Sequence, residues 1–309
     1  MPVIRFIPYE EIDKTKWDNA IRSSSNSLIY AESSYLDAMA DRWDALISDE
    51  YQLLMPICSR EKFGIRYIYQ PAFIQQLGIF GQDQNISAYT HSFLEAIPGT
   101  YRLVETTLNA SNVVQDLPNG WQVQYRTNFL RSLNNGYRTT RQGYDAYLRQ
   151  RVNRAGRQGL EYRDSQDIGF AIKAYRDLYR LRIPDFSDRD YTQFGLLCGL
   201  LQESGRLIIR QAVDSTSGQV YALILLLKDD RRLYNMISCI WPEGKKKGAN
   251  YFLFDQVIRE FSGSPLSLDF EGSDVPGIAY FYEKFSDKKE IYPFIRLNRL
   301  PWLLRILKP

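Results

Sequence analysis

The segment Glu243-Gly244-Lys245-Lys246-Lys247-Gly248-Ala249-Asn250 runs straight into an apolar stretch, Tyr251 to Phe261. A glycine-containing turn that opens a helix presents free backbone N–H groups and a partial positive charge, which together hold an anion. Amides from Lys247 to Asn250 are the candidates for gripping a pyrophosphate, with Lys245 to Lys247 adding charge. The plain alternative is a turn whose lysines face water. Further on, Asp269 and Glu271 lie two apart, hence on one face of a strand end, and either carboxylate can accept a proton. Both can instead cap the helix beginning near Pro276, since Gly272-Ser273-Asp274 is itself capping chemistry. On that helix Phe281 and Phe285 pack inward with Ile278, which leaves the Tyr282 phenol on the edge of the stripe where it can reach a cleft. An amphipathic core tyrosine is the bland reading, and Tyr280 competes for the position. Cys239 has no histidine nearby in sequence, the only one being His91, so a buried small hydrophobe is favoured over a nucleophile.

The elements around these residues are legible. From Arg206 to Leu297 the order reads strand, strand, strand, basic turn, helix, strand, helix, strand. Because the basic turn follows an antiparallel meander, not the strand of a βαβ unit, dinucleotide binding is disfavoured and a phosphate-bearing donor at a splayed sheet fits better. In the strand Leu233 to Trp241, Met236, Ser238 and Ile240 share one face and Ile237 and Cys239 the other. Two helices precede it, Ile168 to Leu181, stopped by Pro184, and Tyr191 to Ser204. The first half shows the same succession: helices at Ile12 to Ile21 and from Ser34, the latter capped by Ser33 or Ser34, then strands at Trp43 to Ser48, Gln52 to Ile57, Ile65 to Tyr69 and Tyr101 to Thr107. An apolar, glutamine-bearing run, Tyr67 to Gly78, reads as an acceptor cleft wall or as a plain buried hairpin. Between the halves lies an arginine-rich helix, 144–158, with the stripe Tyr144, Leu148, Val152, Ala155; Arg151, Arg154 and Arg157 spread along its flank. We place the domain boundary at 137/138.

Composition adds bounds. At 309 residues the chain is long enough for about two domains, and a net charge of +3 argues neither for nor against nucleic acid. Three separated cysteines and a single histidine make no metal-ligand spacing, so no metal is expected. The start of the chain lacks a signal-peptide pattern, and no apolar run approaches the roughly 20 residues that span a bilayer. A cytoplasmic protein is the expectation.

Three patterns resemble the GNAT acyltransferase superfamily. Lys245-x-x-Gly248-x-Asn250 is similar to its pyrophosphate loop, with Lys for Arg or Gln at 245 and Asn for Gly or Ala at 250. Ala279-Tyr280-Phe281-Tyr282-Glu283-Lys284-Phe285 looks like the family's A-x-x-F-Y-E-K helix. Leu268-Asp269-Phe270-Glu271-Gly272-Ser273 with Gly277-Ile278-Ala279 resembles the tandem, Fem-like branch, as does the arginine-rich helix.

The resemblance implies an α/β chain of two GNAT-like domains in tandem, each a mixed, largely antiparallel sheet flanked by helices. The first, 1–137, would be degenerate and face the acceptor; the second, 138–309, would bind the donor and do the chemistry. An acyl-coenzyme A, acetyl-coenzyme A foremost, would be held by Lys245, Lys247, Gly248, Ala249 and Asn250, with Ser238 beside the acyl group. Asp269 or Glu271 would act as base, and Tyr282 would give a proton to the departing thiolate. The activity implied is an N-acyltransferase moving groups other than aminoacyl groups onto a small-molecule, peptide or glycan amine. Two alternatives stay open. One is an aminoacyl-tRNA-dependent, Fem-like enzyme acting on a cell-wall precursor; the other is a catalytically inactive binding module.

Overall fold

The computed structural model describes residues 3–83, 85–181, 186–272 and 275–302. Chain contacts divide it into two compact units, 1–126 with 291–309, and 127–290. This differs from a boundary at 137/138, because the chain changes unit inside two long strands and so returns its last strand to the first unit. Hydrophobic periodicity marks strands but not which sheet each end joins.

The first unit opens with β1 (Ile4–Ile7), α1 (Lys14–Ser23) and α2 (Ser33–Met39). Asp13 caps α1 by accepting from Lys16 N at 3.0 Å. No side chain caps α2, whose N-cap is Glu32, so the serines serve otherwise: Ser33 binds Asp18 through its amide and hydroxyl. Strands β2 (Arg42–Ser48), β3 (Leu53–Lys62), β4 (Ile65–Ile68) and β5 (Phe80–Gly81) follow, then α3 (Thr90–Glu95) and β6 (Tyr101–Thr107). β1 pairs antiparallel with β2, β2 with β3 and β3 with β4; β5 lies beside β3, and β4 runs parallel to β6. The chain's last strand, Lys288–Asn298, lies antiparallel to β6 from Phe294 to Asn298. Leu46, Ile57, Phe93, Val104 and Ile295 are among the buried residues of the core.

The second unit repeats that plan. After β7 (Trp121–Ser132) come α4 (Tyr137–Gln142), α5 (Ala146–Ala155), β8 (Leu160–Ser165), α6 (Ile168–Tyr179), α7 (Asp188–Glu203), β9 (Leu207–Asp214), β10 (Val220–Lys228) and β11 (Arg232–Ile240). Then follow α8 (Pro242–Lys247), α9 (Ala249–Phe261), β12 (Ser267–Asp269), α10 (Pro276–Phe285) and β13 (Lys288–Asn298). β8 to β11 form an antiparallel meander, β11 pairs parallel with β12, and β12 pairs antiparallel with residues 130–132 of β7. The arginine-rich segment is shorter as a helix than 144–158, since Asp145 caps α5 and the chain beyond Gly159 forms β8. Its stripe is buried as expected: Tyr144, Leu148 and Val152 join Phe254, Val257 and Ile258 of α9, and Ala155 is buried too. α7 starts ahead of Tyr191 because Ser187 and Asp190 close a capping box. Pro184 and the Ser273-Asp274 cap lie outside the described residues.

Candidate active site

β11 and β12 stay paired only from Arg232–Ser267 to Tyr234–Asp269. β12 then ends while β11 continues to Ile240, and the sheet parts. A cavity of about 550 Å³ lies in the parting. Its floor is Asn235, Met236, Ser238 and Ile240 of β11; Asn250 and Tyr251 of α9 stand at one side and Tyr282 of α10 at another. Phe270, Glu271 and Gly272 supply the remaining edge, with Tyr175 and Tyr179 of α6 and Tyr147 of α5. The Met236, Ser238 and Ile240 face is the one the alternation assigned. Asn235 joins it through a bulge: Leu225 pairs with Ile237 but Leu226 with Asn235, so one extra residue enters β11 and side-chain alternation resets.

Tyr282 is 9% exposed, and its hydroxyl oxygen accepts from Asn235 Nδ2 at 3.1 Å. Burial drives the phenol's pKa upward, against the pull of Asn235, so the group is a protonated donor at neutral pH. Phe254, Phe270 and Phe281 pack around its ring.

The two carboxylates part company. Asp269 is 1% exposed and does not line the cavity. It binds Arg232 Nη1 at 2.7 Å, Asn128 Nδ2 at 2.8 Å and the Glu271 amide at 3.0 Å. Burial raises its pKa while Arg232 opposes the rise. Glu271 lines the cavity instead. The expectation of one shared face fails because β12 stops at Asp269 and Glu271 takes a left-handed conformation, φ 62°. The Asp269 carboxylate thus sits in a polar cluster off the lining, and Glu271 is the one of the two carboxylates that lines the cavity.

The basic segment is not a turn. Pro242–Lys247 forms a helical turn and a half, ended by Gly248 at φ 71°, from which α9 starts. The Gly248 amide donates back to the carbonyls of Gly244 and Lys245, so it is engaged in ending α8. Lys247 pairs with Asp214 at 2.7 Å and lies over the Tyr221 ring; that pairing holds the Asp214 carboxyl well below the usual carboxylate range. Lys245 and Lys246 are exposed. Gly244 is required by space: a Cβ there would meet the Tyr221 carbonyl oxygen at 2.2 Å. Of the residues assigned to the anion, Asn250 lines the cavity, Ala249 is buried beside it in the first turn of α9, and Lys245, Lys247 and Gly248 lie off the lining.

Cys239 is buried and its thiol is pushed up to about 12, which leaves no thiolate for catalysis. Cys58 and Cys198 are likewise free and buried. Residues the sequence reading passed over are Asn235, a polar residue inside an apolar strand, and the Tyr175/Tyr179 pair at helical spacing. Both signals were present, since a polar residue at a core position is the informative exception.

Residues 142–274 match the acetyltransferase (GNAT) domain family. No curated protein matches the chain in sequence. Among solved structures, FemX superposes with a TM-score of 0.65 at 12% identity, over 96% of this chain and 99% of that one. The C-terminal domain of a putative lysylphosphatidylglycerol synthetase from Agrobacterium fabrum gives 0.55 at 12% identity, over 96% of this chain and 94% of that one. A tandem GNAT protein from the clavulanic acid biosynthesis pathway gives 0.53 at 11%, over 97% and 99%. Residues 142–274 thus resemble a GNAT domain, and the chain shares its fold with FemX and a tandem GNAT protein.

Proposed function

We propose that the second unit is an N-acyltransferase that moves an acyl group from an acyl-coenzyme A, acetyl-coenzyme A foremost, to an amine by direct attack. One observation carries the reading: a single cavity joins the first turn of α9 to Glu271 and to the Tyr282 phenol. Ala249 and Asn250 sit where a helix N-terminus favours phosphate, and Lys245 and Lys246 are free of the Lys247–Asp214 pair to add charge. Ser238 lies on the cavity floor, where backbone amides of β11 would polarise a thioester carbonyl. Glu271 would take the proton of the attacking amine, directly or through water, and Tyr282 would give one to the leaving sulfur. Three buried free thiols fit a reducing, cytoplasmic setting.

Calorimetry and thermal melts with coenzyme A and acetyl-coenzyme A test the donor. Stabilisation of about 2.7 kcal/mol is expected at 100-fold excess over Kd. Thiol release in the presence of an amine panel tests the reaction. A protein that coenzyme A does not stabilise, and that releases no thiol, is the binding module instead.

A second reading, an aminoacyl-tRNA donor, is favoured by the exposed Arg149, Arg151 and Arg154 of α5 and Arg157 just beyond it. It predicts tRNA retention that falls with salt by roughly 0.9 log units per phosphate contact per decade.

A further inference from the structure

Asn235 is 4% exposed and stands in a strand whose neighbours, Leu233, Tyr234 and Ile237, are apolar or aromatic and buried. Its side chain has two hydrogen-bonding ends. Nδ2 donates to the Tyr282 hydroxyl at 3.1 Å, whereas Oδ1 is buried with no hydrogen-bond partner among the described residues. A buried carbonyl left in that state is destabilising, and such groups in folded proteins call for an explanation. The placement follows from the bulge, since without the extra residue at Met236 alternation would turn residue 235 to the face of Ile237. The chain thus interrupts its own ladder to bring an amide to the cavity floor.

We propose that Asn235 is a positioning residue of this site, which fixes Tyr282 as a proton donor and receives an N–H of the bound ligand on Oδ1. The proposal rests on the acyltransferase reading above. Donation from Nδ2 fills a lone pair of the phenolic oxygen, so the hydroxyl hydrogen must point elsewhere. When the O–H bond breaks and its proton forms an S–H bond on the leaving thiolate, a phenolate remains. The Asn235 N–H then faces an anion, and the bond strengthens as the charge develops. A water-borne proton later restores the phenol. Tyr175 and Tyr179 of α6 and Glu271 line the same cavity as the phenol, and none of their side chains carries an amide. The N–H that Oδ1 would receive has two sources, the amide groups of the coenzyme A arm and the acceptor amine.

The experiment has an arm that needs no turnover. NMR titration of the Tyr282 phenol, assigned by its loss in Tyr282→Phe, should move to higher pH in Asn235→Ala and further in the isosteric Asn235→Asp, which places a carboxylate beside the phenol. Unchanged titration in both variants overturns the positioning role. Calorimetry with acetyl-coenzyme A and kinetics with ethylamine then separate the two N–H sources. A roughly tenfold weaker Kd in Asn235→Ala, restored in part by Asn235→Asp, assigns Oδ1 to the donor's amides. A raised amine KM with unchanged Kd assigns it to the acceptor, and no change in either removes the ligand half of the proposal. Wild-type protein that neither binds acetyl-coenzyme A nor releases thiol sinks the acyltransferase reading, while the phenol titration still decides the hydrogen bond.

Discussion

Each unit has one parallel strand pair, and the two pairs have opposite fates. In the first, β4 and β6 pair from Arg66–Tyr101 to Ile68–Val104, and the chain after β4 then turns back into the opening, where Leu77 bridges to Leu108. Polar side chains lock it there. Gln70 Oε1 accepts from the Thr107 amide and the Thr106 hydroxyl, both at 2.9 Å. Asn109 Nδ2 donates to the carbonyls of Leu77 and Ile79, and Asn112 Oδ1 accepts from the Ile79 amide at 2.7 Å. In the second unit the chain after β11 leaves as α8 and α9, and the parting of β11 from β12 stays open as the cavity. The following connection differs too: 108–120 holds no helix among the described residues, where the second unit has α10 and Tyr282. One plan therefore yields a filled seam and an open one, and the difference lies in the segment after the fourth meander strand.

If the open parting is the reactive one, the largest losses should come from the two groups that face it. Glu271→Gln is expected to lower thiol release by about 10²–10⁴-fold with little change in donor affinity. Asp269→Asn should behave otherwise, because its buried carboxylate holds half-buried Arg232 and does not reach the cavity. Breaking that pair should cost about 3–5 kcal/mol of stability, read by denaturant unfolding, with turnover per folded molecule kept. The reverse ranking would return the base assignment to Asp269. Tyr282→Phe comes next, with about 10²-fold lower turnover and unchanged coenzyme A affinity. Because burial raises this phenol, the protonated form persists above the ordinary tyrosine pKa of about 10. Wild-type turnover should accordingly show no alkaline decline from Tyr282 below that pH, and such a decline lost in Tyr282→Phe would contradict the burial.

Much of this site was legible before the structure, and the misses have physical causes. Period-two alternation gave the Ser238 face correctly, because β11 is regular from Ile237 onward. It failed at Asn235 and at Glu271, where a bulge and a left-handed residue reset the alternation. Asn235 is conspicuous as a polar residue in an apolar strand, but neither position reveals the bulge or the left-handed backbone that breaks the alternation. The Gly-Lys run signalled a helix start, yet the proline after Trp241 also began α8, so the amide of Gly248 was claimed by helix capping. The first unit's glutamine-bearing run, by sequence a cleft wall or a hairpin, is a buried filling held by side chain to backbone bonds, a pairing that spacing cannot reveal.

That filling supplies the next test. Gln70→Ala strips the Thr107 amide of its acceptor, for an expected loss of about 1–3 kcal/mol in denaturant unfolding with no change in turnover per folded molecule. A fall in turnover without loss of stability would mean the first unit's seam takes part in the chemistry, and the contrast between the seams would go.

The smallest effect should come from Gly248→Ala. The residue sits at φ 71°, where a side chain is strained, but the added Cβ would meet the Ala155 Cβ at 3.4 Å, an ordinary contact. Strain alone is therefore the cost, about 1–2 kcal/mol, seen as a lowered unfolding midpoint. The donor should feel it indirectly. Gly248 ends α8 and begins α9, so relaxing its φ tilts the first turn of α9 against the cavity where Asn250 and Tyr251 stand. Coenzyme A affinity should fall by a few-fold with kcat at saturating donor kept, because Glu271 and Tyr282 are on other elements. Loss of kcat with affinity intact would place Gly248 in the chemistry, and the phosphate end of the cavity would have to be sought elsewhere than at α9.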